Sequence, residues 1–242
     1  MPEGVAPEPP WRTEPRRRSV PRPALSREVV VAGALKVLED GGGDALTMRR
    51  VADQIGVSAS SLYGYVANKE ELVQLVLDRI FDGVTIPPTS AWQDTIKEFS
   101  RAMLAVFRRH PGVAALTLGR VAFTPSMLAM GERILSELRQ AGMPDQVAAF
   151  VGDLGGLYVA AFAYEQDVTP PGGREQDFLA QFTAWLKSLP ADRFPSIIAV
   201  ADKLTAGSAD DRFEWGLDVL VRGLASYLDV SPDPAVRWPA GS

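Results

Sequence analysis

Apolar positions recur along this chain with the three-to-four-residue period of amphipathic helices, and the short breaks between those runs carry capping and turn residues. Leu25 and Val30 have the spacing of a hydrophobic staple around a Ser26 cap, and Val30, Ala34, Val37 and Leu38 continue one stripe. Three glycines at 41–43 are expected to stop that helix. Leu46 and Val51 repeat the staple around Thr47, whose hydroxyl can cap a second helix with Val51, Ala52 and Ile55 on its apolar side. Gly56 supplies a left-handed end, Ser58 caps a third helix, and Leu62 and Val66 turn to the core. Ala59, Ser60, Ser61, Gly64 and Tyr65 are thereby left facing outward. Asn68 and Glu71 have capping-box spacing and open a fourth helix through Leu72, Leu75, Val76, Arg79 and Ile80. Helix, glycine turn, helix over 47–69 is the helix-turn-helix arrangement, whose second helix enters a DNA major groove.

Four helices over 26 to about 83 make a small core, so the fourth is expected to lean on the helices beyond it. Ile86-Pro87-Pro88-Thr89-Ser90 marks a boundary, because adjacent prolines cannot continue a helix. Further helices are expected over about 91–109, 112–121, 125–141, 175–188 and 195–204. The segment 145–164 is apolar nearly all round and holds Gly152, Gly155 and Gly156, so it should be buried on most sides with another helix close to its glycines. The segment 211–228 is more amphipathic, with Phe213, Leu217, Leu220, Val221 and Leu224 on one side. Both are candidates for a subunit interface or for the ordinary core of a monomer.

The domain plan is therefore a basic, disordered arm over 1–23, a helix-turn-helix domain over 24–84, a larger helical domain over 88–230 and a flexible tail over 231–242. The fold class is all-α. Arg16, Arg17 and Arg18, with Arg22, could reach a minor groove or phosphates, or could form an inert solvated tail.

Charge first argues against a nucleic-acid partner, since the net value is −5. Its distribution reverses the sign at one end: between Arg12 and Leu72 ten basic residues face eight acidic ones, giving +2, while the rest has fifteen against twenty-two, giving −7. There is no cysteine, which removes thiolate chemistry, cysteine metal sites and disulfides. The single histidine, His110, precedes Pro111 at a helix end, where capping the last carbonyls competes with any catalytic use. No apolar run is expected to reach the roughly 18 to 20 residues that span a bilayer, and the first residues lack the apolar segment of a secretory signal, so a cytoplasmic location is expected. No enzymatic constellation, metal or cofactor is expected.

The stretch from Leu25 to Val84 resembles the DNA-binding domain of the tetracycline-repressor (TetR) family, through the glycines after the first helix, LTMRRVADQIGVS, the SLY-x-Y-V of the recognition helix, and NKEEL. WQDTI at 92–96, RRHPGVAAL at 108–116 and DDRFEWGLDVLVRGL at 210–224 resemble the C-terminal domain of the tetracycline-repressor subgroup, so the likeness covers roughly 25–229. The resemblance implies a homodimer, paired through about 145–166 and 211–228, that binds double-stranded operator DNA and encloses a small-molecule pocket. It places Thr47, Met48, Arg49, Ala59, Ser60, Ser61, Gly64 and Tyr65 toward the groove, with Tyr63 and Lys69 at phosphate positions. Arg49 could pair bidentately with guanine, whereas Tyr63 could instead belong mostly to the core.

Ala59 and Gly64 lack the hydrogen-bonding groups that relatives often carry, so base reading would lean on Arg49, Ser60, Ser61, Tyr65, thymine methyl contacts and DNA shape. Thr117 stands where the tetracycline repressor has a metal-binding histidine, which disfavours tetracycline as the ligand. The expected pocket wall comprises Phe99, Met103, Phe107, Leu116, Thr117, Phe123, Met127, Met130 and Leu157, with Glu165 at a position near that metal site. For each of the apolar ones plain core packing is the competing reading, and the stronger one. The expectation is a ligand-responsive regulator, a repressor released from a palindromic operator by a largely apolar effector. An activator, an effector-independent regulator and a helical-pocket enzyme are the alternatives.

Overall fold

The computed structural model describes residues 25–82, 84–118, 125–168 and 174–229. The expected arm over 1–23, with Arg16, Arg17 and Arg18, and the expected tail over 231–242 lie outside the described residues. Those described carry helices and no strand, in accord with the all-α expectation.

The first four helices are α1 (Arg27–Ala45), α2 (Met48–Ile55), α3 (Ala59–Leu62) and α4 (Lys69–Phe81). Each begins at the expected cap: Ser26 accepts from Val29 N, Thr47 from Arg50 N, Ser58 from Ser61 N and Asn68 from Glu71 N. Gly56 takes the left-handed conformation (φ 74°, ψ 40°) and closes α2. The glycine run stops the first helical stretch as expected: Gly42 (φ 71°, ψ −175°) leaves helical geometry, and a separate short turn follows to Ala45, held by burial of Ala45 and Leu46. Glu71 departs from the capping-box pattern, reaching the N–H of Ala67 (2.5 Å) one residue ahead of the cap.

The recognition element is short. Leu62 and Val66 are both buried, but the helix stops at Leu62, where Tyr65 N and Val66 N both bond its carbonyl, so Val66 enters the core from the turn.

Helices α5 (Trp92–Arg109), α6 (Val113–Thr117), α7 (Pro125–Gln140), α8 (Asp145–Val168), α9 (Arg174–Lys187), α10 (Pro195–Leu204) and α11 (Ala209–Asp229) build the second part. One continuous core joins it to the first: Leu72, Val76, Leu77 and Phe81 of α4 pack with Met103, Phe107, Val113 and Met130. Phe81 meets Phe107 edge to face, with centroids 6.0 Å apart. The fourth helix thus leans on the second domain, as its sparse core required. A second cluster, around Trp92, Ile96, Ile134, Leu138, Val147 and Val151, ties α5, α7 and α8 together.

Helix α8 corrects two expectations. Its 24 residues are long and apolar enough, by length and composition, to cross a membrane. Within this chain it is a partly covered helix of the domain. It buries Val147, Ala148, Val151, Val159, Ala160, Phe162 and Ala163, while Phe150, Leu154, Leu157, Tyr164 and Val168 remain exposed. A methyl group added at Gly152, Gly155 or Gly156 would meet no atom within 4 Å, so these glycines approach no helix of their own chain.

Candidate functional site

The reading head is built by burying one side of each short helix. Val51 and Ala52 of α2 and Leu62 of α3 are buried, which turns Arg49, Ala59, Ser60, Ser61 and Gly64 to solvent and leaves Thr47 half-buried at the cap. Arg49 makes no ion pair among the described residues. Ser60 and Ser61 turn their hydroxyls onto Ser58 Oγ, each at 2.8 Å. A hydroxyl so held still has a lone pair free for another partner.

Four expected positions differ in character. Tyr63 is 56% exposed, which removes its core alternative. Tyr65 is a correction: its ring is half-buried against the core, because the turn after Leu62 swings it inward. Met48 is likewise half-buried and packed against that core. Lys69 is half-buried at the first position of α4.

A residue that pattern reading passed over fixes this head. Arg27 donates from Nε to the carbonyl of Tyr65 (3.3 Å) and from Nη2 to Glu71 (3.3 Å), tying α1 to the turn between α3 and α4. No local spacing announces it, since its partners lie 38 and 44 residues away.

Two junctions connect the head to the second domain. At one, the bent end of α1 meets the turn between α5 and α6 backbone to backbone. A Cβ on Gly112 (φ 84°) would lie 2.6 Å from Gly43 N, and one on Gly43 would lie 2.9 Å from Gly112 O. Only two glycines permit that approach. The N–H of Gly112 donates to Asp167 of α8 (2.8 Å), which anchors the turn from behind. Neighbouring His110 caps α5 through its backbone N–H, bonded to the carbonyls of Val106 and Phe107, whereas its Nδ1 is buried without a partner. The expected side-chain cap is therefore made by the main chain.

At the other junction a cleft of roughly 340 Å³ opens between the end of α4, the connecting segment and α7. Phe81, Val84, Thr85, Ile86, Ala129, Met130 and Arg133 line it. Of the expected pocket wall it includes Met130 alone. Met103, Phe107 and Leu116 are buried in the joint core, with Phe99 and Met127 packed against it, and Thr117 spends its hydroxyl on the carbonyl of Ala114 (2.8 Å). Phe123 lies outside the described residues.

Two further wall positions are corrections for the described chain. Leu157 is 49% exposed on the outer stripe of α8, because its side of the helix points away from α5 and α7. Glu165 is exposed and accepts from Nη1 and Nη2 of Arg212 (both 3.2 Å), a pairing across to α11.

Ion pairs fasten α5 to α11. Arg101 grips both carboxylate oxygens of Glu214 (2.7 and 2.6 Å), Lys97 reaches Asp218 (3.0 Å), and Arg108 pairs with Asp210. The hydrogen bond from Arg101 holds the Glu214 carboxyl below its usual range, and the bond from Lys97 does the same for Asp218. Alongside, Tyr158 donates to the carbonyl of Phe213 (3.0 Å) and stacks on its ring at 5.5 Å, a placement that only a glycine at 216 allows. Burial raises the pKa of its phenol. Outward from this seam α11 exposes Trp215 (71%) and Val219 (49%).

A capped helix-turn-helix with an outward arginine that makes no ion pair among the described residues, joined to a larger helical domain with exposed apolar stripes, defines a DNA-binding regulator of the helix-turn-helix class. Family comparison agrees: residues 30–76 match the model of bacterial regulatory proteins of the tetR family, and residues 86–228 match the tetracycline-repressor-like C-terminal domain. The transcriptional repressor DrrR1 of Streptomyces coeruleorubidus is 31% identical over 223 residues, covering 88% of this chain and 82% of that protein. An HTH-type transcriptional regulator of Saccharopolyspora erythraea is 30% identical, covering 88% and 89%. Among solved structures, the TetR-family protein ActR of Streptomyces coelicolor in complex with actinorhodin superposes with a TM-score of 0.77 at 35% identity, over 84% of this chain and 96% of that one. The chain belongs to the tetR family of bacterial transcriptional regulators and is a ligand-responsive repressor of that family.

Proposed function

We propose that this repressor reads a palindromic operator as a homodimer through Thr47, Met48, Arg49, Ala59, Ser60, Ser61, Gly64 and Tyr65, with Tyr63 and Lys69 on phosphates. The observation that carries the reading is the exposed, unpaired Arg49 beside the outward serines of α3. A guanidinium with no internal partner can give two parallel hydrogen bonds to guanine O6 and N7. Tyr65 contributes from its half-buried position through whatever edge of its ring remains at the surface, and Ala59 and Gly64 permit close approach. Arginines 16, 17 and 18 supply a further basic arm.

The second copy covers the apolar stripes of α8 and α11. Phe150, Leu154, Leu157, Tyr164 and Val168 follow the helical period along one side of α8, and Trp215 and Val219 continue the surface. Covering them gives Gly152 and Gly156 the close helix neighbour that their own chain lacks. The protein acts in the cytoplasm, where its operator is, and performs no catalysis.

The effector is a small, largely apolar molecule held by the second domain, as supported by the partly buried Phe99 and Met127 and by Met130 at the cleft, which Met103, Phe107 and Leu116 back from the joint core, and by the actinorhodin complex of the similar ActR. Phe123 and Thr117 complete the candidate wall, and Leu157 and Glu165 take part only where a second copy brings them to it. Tetracycline is disfavoured as the ligand, since a threonine hydroxyl at 117 is a poorer metal ligand than histidine.

Fluorescence anisotropy on the chain's own upstream intergenic DNA tests the reading. Affinity should fall steeply with salt, and Arg49→Ala should cost about 1 to 3 kcal/mol while relaxing base preference. Binding insensitive to salt, or an Arg49 variant with parental affinity and selectivity, would refute it.

A further inference from the structure

We propose that Arg133 of α7 is a positioning residue that latches the segment between the two domains and so fixes the reading head relative to the regulatory domain. Its Nη1 donates to the carbonyl of Ile86 (2.5 Å), its Nη2 to the carbonyl of Pro87 (2.9 Å), and its Nε to Glu137 (3.1 Å). The sequence of the segment explains why an arginine does this. Pro87 and Pro88 have no backbone N–H and hold their neighbours extended, so the chain here can be gripped only through carbonyl oxygens. A guanidinium is a planar, donor-only fork, and Glu137, one turn along the same helix, orients it through Nε.

The latch sits where displacement would be transmitted. Ile86 is buried, and five residues before it Phe81 ends α4 inside the joint core. Only four residues separate Phe81 from Ile86, and both ends of that stretch are buried, so a shift of the gripped carbonyls passes to the end of α4, whose first residue adjoins the turn after α3. Met130 lies one helical turn before Arg133 and lines the same cleft. A molecule that moves α7 at Met130 therefore moves the fork, and the fork moves the segment. The consequence for DNA rests on the operator-binding reading above; the latch is a property of a single chain and is measured separately from it.

The absence of native cysteine makes the test direct. Cysteines are placed at the exposed positions Gln54 on α2 and Ala105 on α5, spin-labelled, and diluted with unlabelled full-length protein. Pulsed dipolar spectroscopy then reports the distance between the two domains within one chain, with neither DNA nor effector present. Arg133→Met keeps the apolar stem and loses the fork, and should broaden the distance distribution about twofold or more. Arg133→Lys keeps the charge as a point donor and should fall between parent and Arg133→Met. Arg139→Met, on the same helix but in an exposed pair with Asp145, should leave the width unchanged.

A parental width in Arg133→Met, or equal broadening in Arg139→Met, overturns the proposal. Should Arg133→Met fail to fold, Arg133→Lys with parental thermal stability decides it: broadening supports the latch, and a parental width overturns it.

Discussion

Replacing Gly112 by alanine should weaken the chain at the junction between its domains, and the structure allows the cost to be divided. Gly112 has φ 84°, where an L side chain costs about 1 to 2 kcal/mol. The added Cβ would also lie 2.6 Å from Gly43 N and 2.9 Å from Gly42 Cα. Both are main-chain atoms, so no rotamer change can relieve the contact; the end of α1 and the turn before α6 must separate, at about 1 to 3 kcal/mol more on the scale of overpacked cores.

Gly142 provides the comparison. Its φ is 86°, yet a methyl group added there would meet nothing within 4 Å, so Gly142→Ala carries the backbone cost alone. Urea unfolding of parent and both variants, at one protein concentration because the family dimerises, should find Gly112→Ala less stable than Gly142→Ala by about 1 to 3 kcal/mol. Hydrogen exchange should speed up over 41–46 and 110–116 in Gly112→Ala only. Equal stabilities, or exchange unchanged at both segments, would refute the claim that this glycine contact holds the domains together.

Two other outcomes concern surfaces and charges. Leu154→Glu and Trp215→Glu each place a carboxylate on an uncovered apolar stripe, so sedimentation should show monomer at concentrations where the parent is dimeric, with helical content retained; a parental dimer in both would remove these stripes from the interface. For pH, Arg101 lowers the folded-state pKa of Glu214 below its ordinary 4.5, so the stabilisation is complete above about that pH and is lost as pH falls through the lower folded value. Glu214→Gln should therefore unfold more readily at neutral pH and show a shallower loss below pH 4.5, and an unchanged acid limb in thermal melts would contradict the assignment.

Much of the reading head was legible because its determinants are local. Ser26, Thr47, Ser58 and Asn68 each cap a helix through the residue three positions ahead, and Gly56 closes α2 with its own backbone. Such contacts leave a fixed spacing in the chain. Failures occurred where a local rule met a distant partner. Tyr65 read as outward by helical phase, but α3 ends at Leu62 and the turn changes the phase. Leu157 read as a pocket residue by alignment, yet it lies on the stripe of α8 that this chain leaves uncovered.

The effector site was the least legible part, for a physical reason. An apolar side chain that lines a pocket and one that fills a core have the same pattern, and only the packing around Met103, Phe107 and Leu116 distinguishes them.

By itself, then, the sequence determined the class of fold and the caps and turns of the helix-turn-helix, since each arises from dihedral preferences and hydrogen bonds between near neighbours. Tertiary structure alone decided how the two parts are joined. Gly43 meets Gly112 across 69 positions, and Arg133 reaches back 47 and 46 residues to the carbonyls of Ile86 and Pro87. Those contacts depend on where folded helices lie in space, and no periodicity in the chain encodes that.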